Sequence, residues 1–390
     1  MGKRIPFNEY YLTNKRLRRF DPRNTAFNQY RKKHGKQGLG YSNEAGKVER
    51  MRKGIPGFSL LDYSFKDAAE TYSDHGFNTG YYSWRPLGIT HKPDSIPKWE
   101  VPPEEASIVV TKAAKFYGAL SVGFCGLDRR WVYSNTSDGR PIVFENVDEP
   151  SITDEKVVIP ESHRYVIAMT VPMEFIENSY APTTIEVTSN MGYSRMHVLA
   201  GTVAEFIRGL GWNAIPMGND TALSVPIAIQ AGLGHMGRMG RLITWEKGPL
   251  VRICKIFTDL PLAPSPPAHT GIIEYCEICT KCARHCPSGS IPEGQRTWEG
   301  PSEANAEGVY KWYCDEEKCF EYWHEVGTGC SICFRCCSFT KKKGKIHSLI
   351  KWFIKNVPQL NKLWVWTDDL FQYGKMSDPR SYWDKQYKAS

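Results

Sequence analysis

Cys276-Glu-Ile-Cys279-Thr-Lys-Cys282-Ala-Arg-His-Cys286-Pro287 decides how this chain is read. The spacing C-x2-C-x2-C-x3-C-P puts four thiols within eleven residues, which suits the corners of an iron–sulfur cubane. A looser array follows at Cys319, Cys330, Cys333 and Cys337. Where two such runs occur together, the fourth cysteine of each crosses to the other cluster. One [4Fe–4S] centre is therefore expected on Cys276, Cys279, Cys282 and Cys337, and a second on Cys319, Cys330, Cys333 and Cys286. In the second array Cys314 competes with Cys319, and Cys336 with Cys337. Cys337 is preferred because Cys330-x2-Cys333-x3-Cys337 repeats the tail of the first run. Zinc sites more often use two cysteine pairs split by a longer loop. Disulfide frameworks belong to small secreted domains, not to a chain of 390 residues. Two adjacent clusters make a path for single electrons.

Around this run the composition is that of a globular protein large enough for two or three structural units, with 41% hydrophobic and 24% charged residues. Twelve Trp and twenty Tyr are many for this length, an excess that suits a pocket for a large flat cofactor and equally suits core packing. No apolar run approaches the length of a membrane span. The net charge of +8 is uneven: residues 1–53 hold fifteen Lys or Arg against four acids. Such an arm could touch nucleic acid, anionic lipid or an acidic partner, or be a solvated extension. Residues 15–20 (KRLRRF) resemble part of a twin-arginine signal but lack the apolar stretch that should follow.

Residues 1–55 read as irregular and polar. An acidic start at Glu104 and Glu105 opens a helix through Tyr117, and residues 119–127 and 164–171 read as buried strands. Met196, Leu199, Val203, Phe206, Ile207 and Leu210 recur at helical spacing. Strand–helix alternation implies an α/β core over 104–265, reached after an N-terminal unit over 1–103. Pro261-Leu-Ala-Pro-Ser-Pro-Pro267 reads as a linker into a cysteine domain over 266–345, and 346–390 as a C-terminal segment packing back on the core, with one amphipathic, aromatic helix over 346–373. Gly232, Gly234 and Gly237 spell G-x-G-x-x-G with Asp259 beyond, the pattern of a dinucleotide site. The preceding residues 225–231 read as helix rather than strand, however. Together with Gly240, these glycines more simply mark a backbone that approaches a large ligand or turns tightly.

The order of features resembles the corrinoid-dependent reductive dehalogenases. The likeness rests on residues 225–240 (VPIAIQAGLGHMGRMG), 251–262 (VRICKIFTDLPL), the cysteine run, 318–323 (KCFEYW), 346–351 and 369–374. The resemblance implies an α+β fold: a nitroreductase-like core holding a base-off cobamide, followed by a bacterial ferredoxin-like unit with two [4Fe–4S] clusters. It implies that Tyr193 donates a proton beside Asn219 and Arg252, that the Gly232–Gly240 segment borders the cobamide, and that Trp84 and Trp323 wall a substrate pocket. The chain lacks D-x-H-x-x-G to supply a lower histidine, since Asp74-His75-Gly76 has the wrong spacing. The implied substrate is a small organohalide, a chlorinated alkene or alkane. The implied setting is peripheral, on the outer face of the cytoplasmic membrane after loss of a twin-arginine leader, with a small membrane anchor, a respiratory electron donor and room for a homodimer; the alternative is a cytoplasmic protein. No nucleic acid is expected. Two rivals stand beside it. Epoxyqueuosine reductases, cytosolic enzymes acting on tRNA, share the glycine segment and the cluster run. The other rival is a two-cluster electron carrier without corrinoid.

Overall fold

In a computed structural model the described residues are 11–35, 44–63, 80–87, 97–342 and 344–384. The helices are α1 (Ala26–His34), α2 (Glu44–Arg52), α3 (Pro103–Phe116), α4 (Phe175–Asn178), α5 (Thr188–Gly209), α6 (Ser224–Gln230), α7 (Ile272–Ile278), α8 (Lys281–Arg284), α9 (Glu316–Val326), α10 (Ile332–Cys336), α11 (Lys345–Asn356) and α12 (Asn361–Leu370). The strands are β1 (Ser121–Gly126), β2 (Ile142–Glu145), β3 (Ser151–Ile152), β4 (Val157–Pro160), β5 (Tyr165–Pro172), β6 (Ala214–Met217), β7 (His235–Met236), β8 (Leu242–Ile243) and β9 (Val251–Thr258). The architecture is mixed α+β with open sheets, the largest ordered β1-β5-β9-β6.

The strand–helix alternation does not build parallel βαβ units. All three ladders of the main sheet are antiparallel, because β9 enters between β5 and β6. Its central strands are rich in β-branched residues and buried on both faces, and the period of two sorts their side chains. Ile167, Met169, Val171, Cys254 and Ile256 join a buried cluster with α3 and α5. Val166, Ala168, Ile253 and Phe257 point the other way, into a cluster with Ile227 and Ala228 of α6 that runs on to Cys276, Cys282 and Phe339. The cysteine segment thus shares a core with the back of the sheet. That face of β9 also carries Lys255, and the opposite face carries Arg252.

Two further expectations are corrected. The N-terminal segment, read as irregular, contains α1 and α2 among its described residues. Here tertiary packing overrides weak local pattern: Phe27 and Tyr30 lie edge-on to Phe320 of α9, at ring-centroid distances of 4.5 and 5.3 Å, and Lys33 pairs with Glu321 at 2.8 Å. The proline-rich stretch, read as a linker, lies against β1, where Ser265 N–H donates to Phe124 O at 2.8 Å and Phe124 N–H donates to Ser265 Oγ at 2.9 Å. The C-terminal amphipathic segment is two helices, interrupted at Val357 and Pro358, since proline cannot supply the N–H that a continuing helix needs. Asp74, His75 and Gly76 lie outside the described residues. No helix among the described residues is long and apolar enough to cross a membrane.

Candidate functional site

The first cysteine run folds as α7, a break at Cys279, and α8. Cys276, Cys279 and Cys282 line one cavity, and Cys337, just beyond α10, closes it from the second array. The cavity holds about 290 Å³ of atom-free space, part of it open to solvent. Cys336 does not line this cavity: its thiol faces the carbonyls of Lys281 and Cys333 at 3.9 and 3.7 Å. A second group forms where Cys330 lies among Cys319 and Cys286, and Cys333 among Cys330, Cys336 and Cys319. Cys314 instead points its thiol at the carbonyl of Arg238, 3.8 Å away. No disulfide forms among the twelve cysteines. Among the described residues no three His, Cys, Asp or Glu side chains converge as they would on a single ion. Burial, reinforced by the Cys279 thiol, pushes Cys276 up to about 12, and burial pushes Cys330 up to about 12.

Two cations beside the first cavity went unread in the sequence. Arg238 is buried and donates to the carbonyls of Cys276 (2.8 Å), Cys279 (3.1 Å), Pro292 (3.0 Å) and Gly294 (2.7 Å), so one guanidinium ties the loop of the run together. Lys281 is buried too and pairs with Asp368 of α12 at 2.5 Å. Arg238 lay in plain view inside the glycine segment, but the pattern drew attention to the glycines alone.

Those glycines serve close packing and turns. A Cβ on Gly232 would sit 2.2 Å from Pro266 O, on Gly234 2.3 Å from Ile243 O, and on Gly237 2.3 Å from Ile243 Cδ1, while Gly240 stands beside Cys314 Sγ. The N–H groups of Gly232, Gly237 and Gly240 already donate to Ile229, Arg241 and Gly237. The segment follows helix α6, and Asp259 accepts from Asn213 N–H at 2.8 Å, so the dinucleotide pattern has neither its strand nor a free carboxylate.

The second cluster of chemistry lies at one end of the main sheet, where α5, β9 and the turn after β6 meet. Tyr193, in the first turns of α5, is half-buried. Arg195 anchors that end of the helix, donating to Pro172 O at 3.1 Å and to Glu174 at 2.6 Å. Arg252, second residue of β9, passes so close to α5 that a Cβ on Gly192 would meet its Cγ at 2.7 Å; only glycine fits there. Its guanidinium stands 4.6 Å from the centre of the Tyr193 ring, and its buried Nε has no partner. Burial raises the pKa of Glu186, at the foot of α5, which accepts from Thr188 Oγ1 at 2.7 Å and feels the Arg252 charge. The exposed Asn219 donates through Nδ2 to Tyr193 Oη at 2.9 Å. Tyrosine, asparagine and arginine, drawn from three separated stretches, are therefore one group.

The turn carrying Asn219 is held from below. Lys255, fully buried, donates to Gly218 O and, at 3.0 Å, to Ser224 Oγ, and burial lowers it to about 8. Asp220 accepts from Gly218 N–H at 2.8 Å, and Tyr133 Oη donates to Asn219 O at 3.0 Å. Thr221 sits at φ 63, a left-handed conformation uncommon for a β-branched residue, which these bonds enforce. A Cβ on Gly218 would lie 2.4 Å from Tyr82 Oη, and Tyr82 stacks on His197 at 3.9 Å. Of the two tryptophans expected around a pocket, Trp84 is buried in the cluster on the back of the sheet, not in the one that holds Tyr82. Trp323 is half-buried on α9, next to Cys319 and edge-on to Phe27.

Fold and site together define a mixed α+β protein in which a thiol-ringed cavity shares a core with the sheet that displays a Tyr–Asn–Arg group. No family model matches the chain. Over 317 residues the chain is 38% identical to the tetrachloroethene reductive dehalogenase of Sulfurospirillum multivorans, covering 77% of this chain and 62% of that one. A shorter stretch of 116 residues is 32% identical to the epoxyqueuosine reductase of Gloeobacter violaceus, covering 28% of this chain and 33% of that one. Among solved structures, the catabolic reductive dehalogenase NpRdhA in complex with 3-bromo-4-hydroxybenzoic acid superposes with a TM-score of 0.71 at 20% identity, over 96% of this chain and 49% of that one. The chain belongs to the reductive dehalogenase family. It spans 62% of the length of its Sulfurospirillum relative.

Proposed function

We propose that this chain is a corrinoid-dependent reductive dehalogenase that replaces a halogen of a small chlorinated alkene or alkane by hydrogen. The observation that carries this reading is the Asn219–Tyr193 hydrogen bond under the Arg252 guanidinium, a proton-donor site on the sheet that backs the thiol cavity. In this reading the core over 104–265 is nitroreductase-like and the unit over 266–345 ferredoxin-like, with 1–103 wrapping the body and 346–390 packing on the core. The protein works peripherally on the outer face of the cytoplasmic membrane, fed by a respiratory donor and joined by a small membrane anchor.

The residues fit the groups this requires. Four cysteines around one cavity are a cubane's donor set, and the cationic Arg238 and Lys281 offset the negative charge that thiolates bring. Cys319, Cys330, Cys333 and Cys286 would hold the second cluster. A corrinoid would be met by the exposed Asn219, the half-buried Tyr193 and the unpartnered Nε of Arg252, and the segment of Gly232, Gly234, Gly237 and Gly240 would border it. When bound, the clusters relay single electrons and the corrinoid supplies the electron pair that the carbon–halogen bond takes up.

The balance is R–X + 2e⁻ + H⁺ → R–H + X⁻, and the chain's own task is the proton. Tyr193 Oη accepts from the Asn219 amide and donates its proton to the carbon that loses halide. The tyrosinate left behind keeps the Asn219 hydrogen bond and lies against the Arg252 cation. Both favour the charged form. A cation over an aromatic face contributes about 0.5–2 kcal/mol. Trp84 and Trp323 would contribute apolar walls to the substrate pocket.

Lys255 acts here through Asn219. Lys255→Met removes the clamp on the turn and is expected to lower kcat by about tenfold, the equivalent of one hydrogen bond of ~1.4 kcal/mol. In an Asn219→Ala background the same change should cost little more, because the two substitutions break one linkage. Equal losses in both backgrounds would make Lys255 purely structural.

The test of the proposal is anaerobic purification with metal analysis and a halide-release assay. About eight iron and one cobalt per chain are expected, with chloride released from chloroalkenes and no turnover of tRNA. Iron without cobalt after reconstitution with cobamide would leave a plain electron carrier. Turnover of epoxyqueuosine in tRNA would replace the reading with the other rival.

A further inference from the structure

The C-terminal helices bury only half of their apolar residues. On α11, Ile350 and Ile354 seat on the core, yet Ile346, Leu349 and Trp352 stand 72%, 56% and 52% exposed to solvent. On α12, Trp364 and Val365 pack inward, while Leu363, Trp366 and Leu370 stand 44–59% exposed. The two helices pack on each other, with Phe353 and Trp364 at a centroid distance of 5.6 Å. A helix that shields a core should present polar residues outward. These two present Ile, Leu and Trp.

The charges around these stripes are of one sign. Residues 341–376 contain eight lysines and two acids, and both acids are already paired. Asp368 is buried with Lys281 and Lys341, and Asp369 pairs with Arg284 at 2.7 Å. Lys342, Lys345, Lys355 and Lys362 flank the apolar stripes with no acid of the segment to answer them.

We propose that α11 and α12 form a docking surface for an anionic lipid bilayer, with tryptophan and aliphatic side chains entering the headgroup region and lysines meeting the lipid phosphates. Apolar anchors flanked by lysine are the composition of helices that lie in a membrane interface. A second copy of the chain is a poor occupant, because a two-fold contact sets each face against itself and would oppose lysines to lysines. The surface gives the proposed peripheral location a direct lipid contact. It needs none of the proposed chemistry, so a chain inactive on organohalides would still show it.

Flotation of the full chain with vesicles tests the proposal. Vesicles of phosphatidylcholine with about one-third phosphatidylglycerol should carry the protein, and phosphatidylcholine alone should carry at least tenfold less. The double variant Trp352→Ser/Trp366→Ser changes no charge and touches only exposed side chains, and it should weaken binding by about tenfold or more with an unchanged melting temperature. Tryptophan emission should shift to shorter wavelength on vesicle binding in the wild type and not in the variant. Binding that survives the double variant would assign the lipid contact to the basic N-terminal residues and overturn the proposal. Failure to bind anionic vesicles, or a dimer that the variant dissociates, would overturn it as well.

Discussion

Tyr193→Phe is expected to lower kcat for halide release by about 10²–10⁴, the contribution typical of a positioned general acid, with KM nearly unchanged. The substitution removes only the hydroxyl. The ring stays between α5 and Arg252, so the cation–ring contact at 4.6 Å survives, and Asn219 loses its acceptor. Three consequences separate a chemical role from a packing role. Iron and cobalt content should match the wild type, because no proposed ligand has changed. A solvent deuterium isotope effect on kcat, if present in the wild type, should change, since the proton must now arrive by another route. Asn219→Ala should cost less than Tyr193→Phe and almost nothing on top of it, because its proposed action runs through the phenol oxygen. A Phe variant within twofold of wild type would remove Tyr193 from the chemistry.

Much of the strand and helix content was legible because it obeys local rules. The expected helix opening at Glu104 and Glu105 is α3, the two apolar runs are β1 and β5, and the 3.6-residue repeat from Met196 follows α5 to its cap at Leu210. The sheet's antiparallel order was not legible, since alternation along the chain does not say that β9 inserts between β5 and β6. Helix α1 was hidden for a similar reason: its support comes from Phe320 and Glu321, nearly three hundred residues away. The candidate site divides the same way. Tyr193, Asn219 and Arg252 were named from resemblance, and nothing in their own sequence spacing says that they touch. Lys255 and Arg238 were missed because a lysine in a strand and an arginine among glycines carry no pattern. Their meaning comes from burial and from which carbonyls they reach. Gly192 was overlooked as well, although Arg252 can lie against α5 only because that position lacks a side chain.

Cys337→Ala and Cys336→Ala, adjacent in sequence, are expected to give opposite results. The proposed ligand Cys337 lines the first cavity with Cys276, Cys279 and Cys282, so its loss should reduce iron from about eight to about four per chain. Halide release should then disappear, because the electron path is broken whichever cluster lies nearer the substrate. Cys336 is as deeply buried, but its thiol faces the carbonyls of Lys281 and Cys333, the posture of a neutral thiol making weak hydrogen bonds. Alanine there removes one sulfur atom from a packed interior and should leave iron unchanged, with a stability loss of about 1 kcal/mol. The pair Cys319 and Cys314 should divide in the same manner, since Cys314 faces the Arg238 carbonyl. Cys286→Ala adds the sharper test. It belongs by sequence to the first run and by position to Cys319 and Cys330, so its loss should empty the second cluster and spare the first. The four-iron protein it leaves should then differ by electron paramagnetic resonance from the one left by Cys337→Ala. A Cys286→Ala spectrum that matches Cys276→Ala, and not Cys319→Ala, would mean that each run holds its own cluster and that the crossing is wrong.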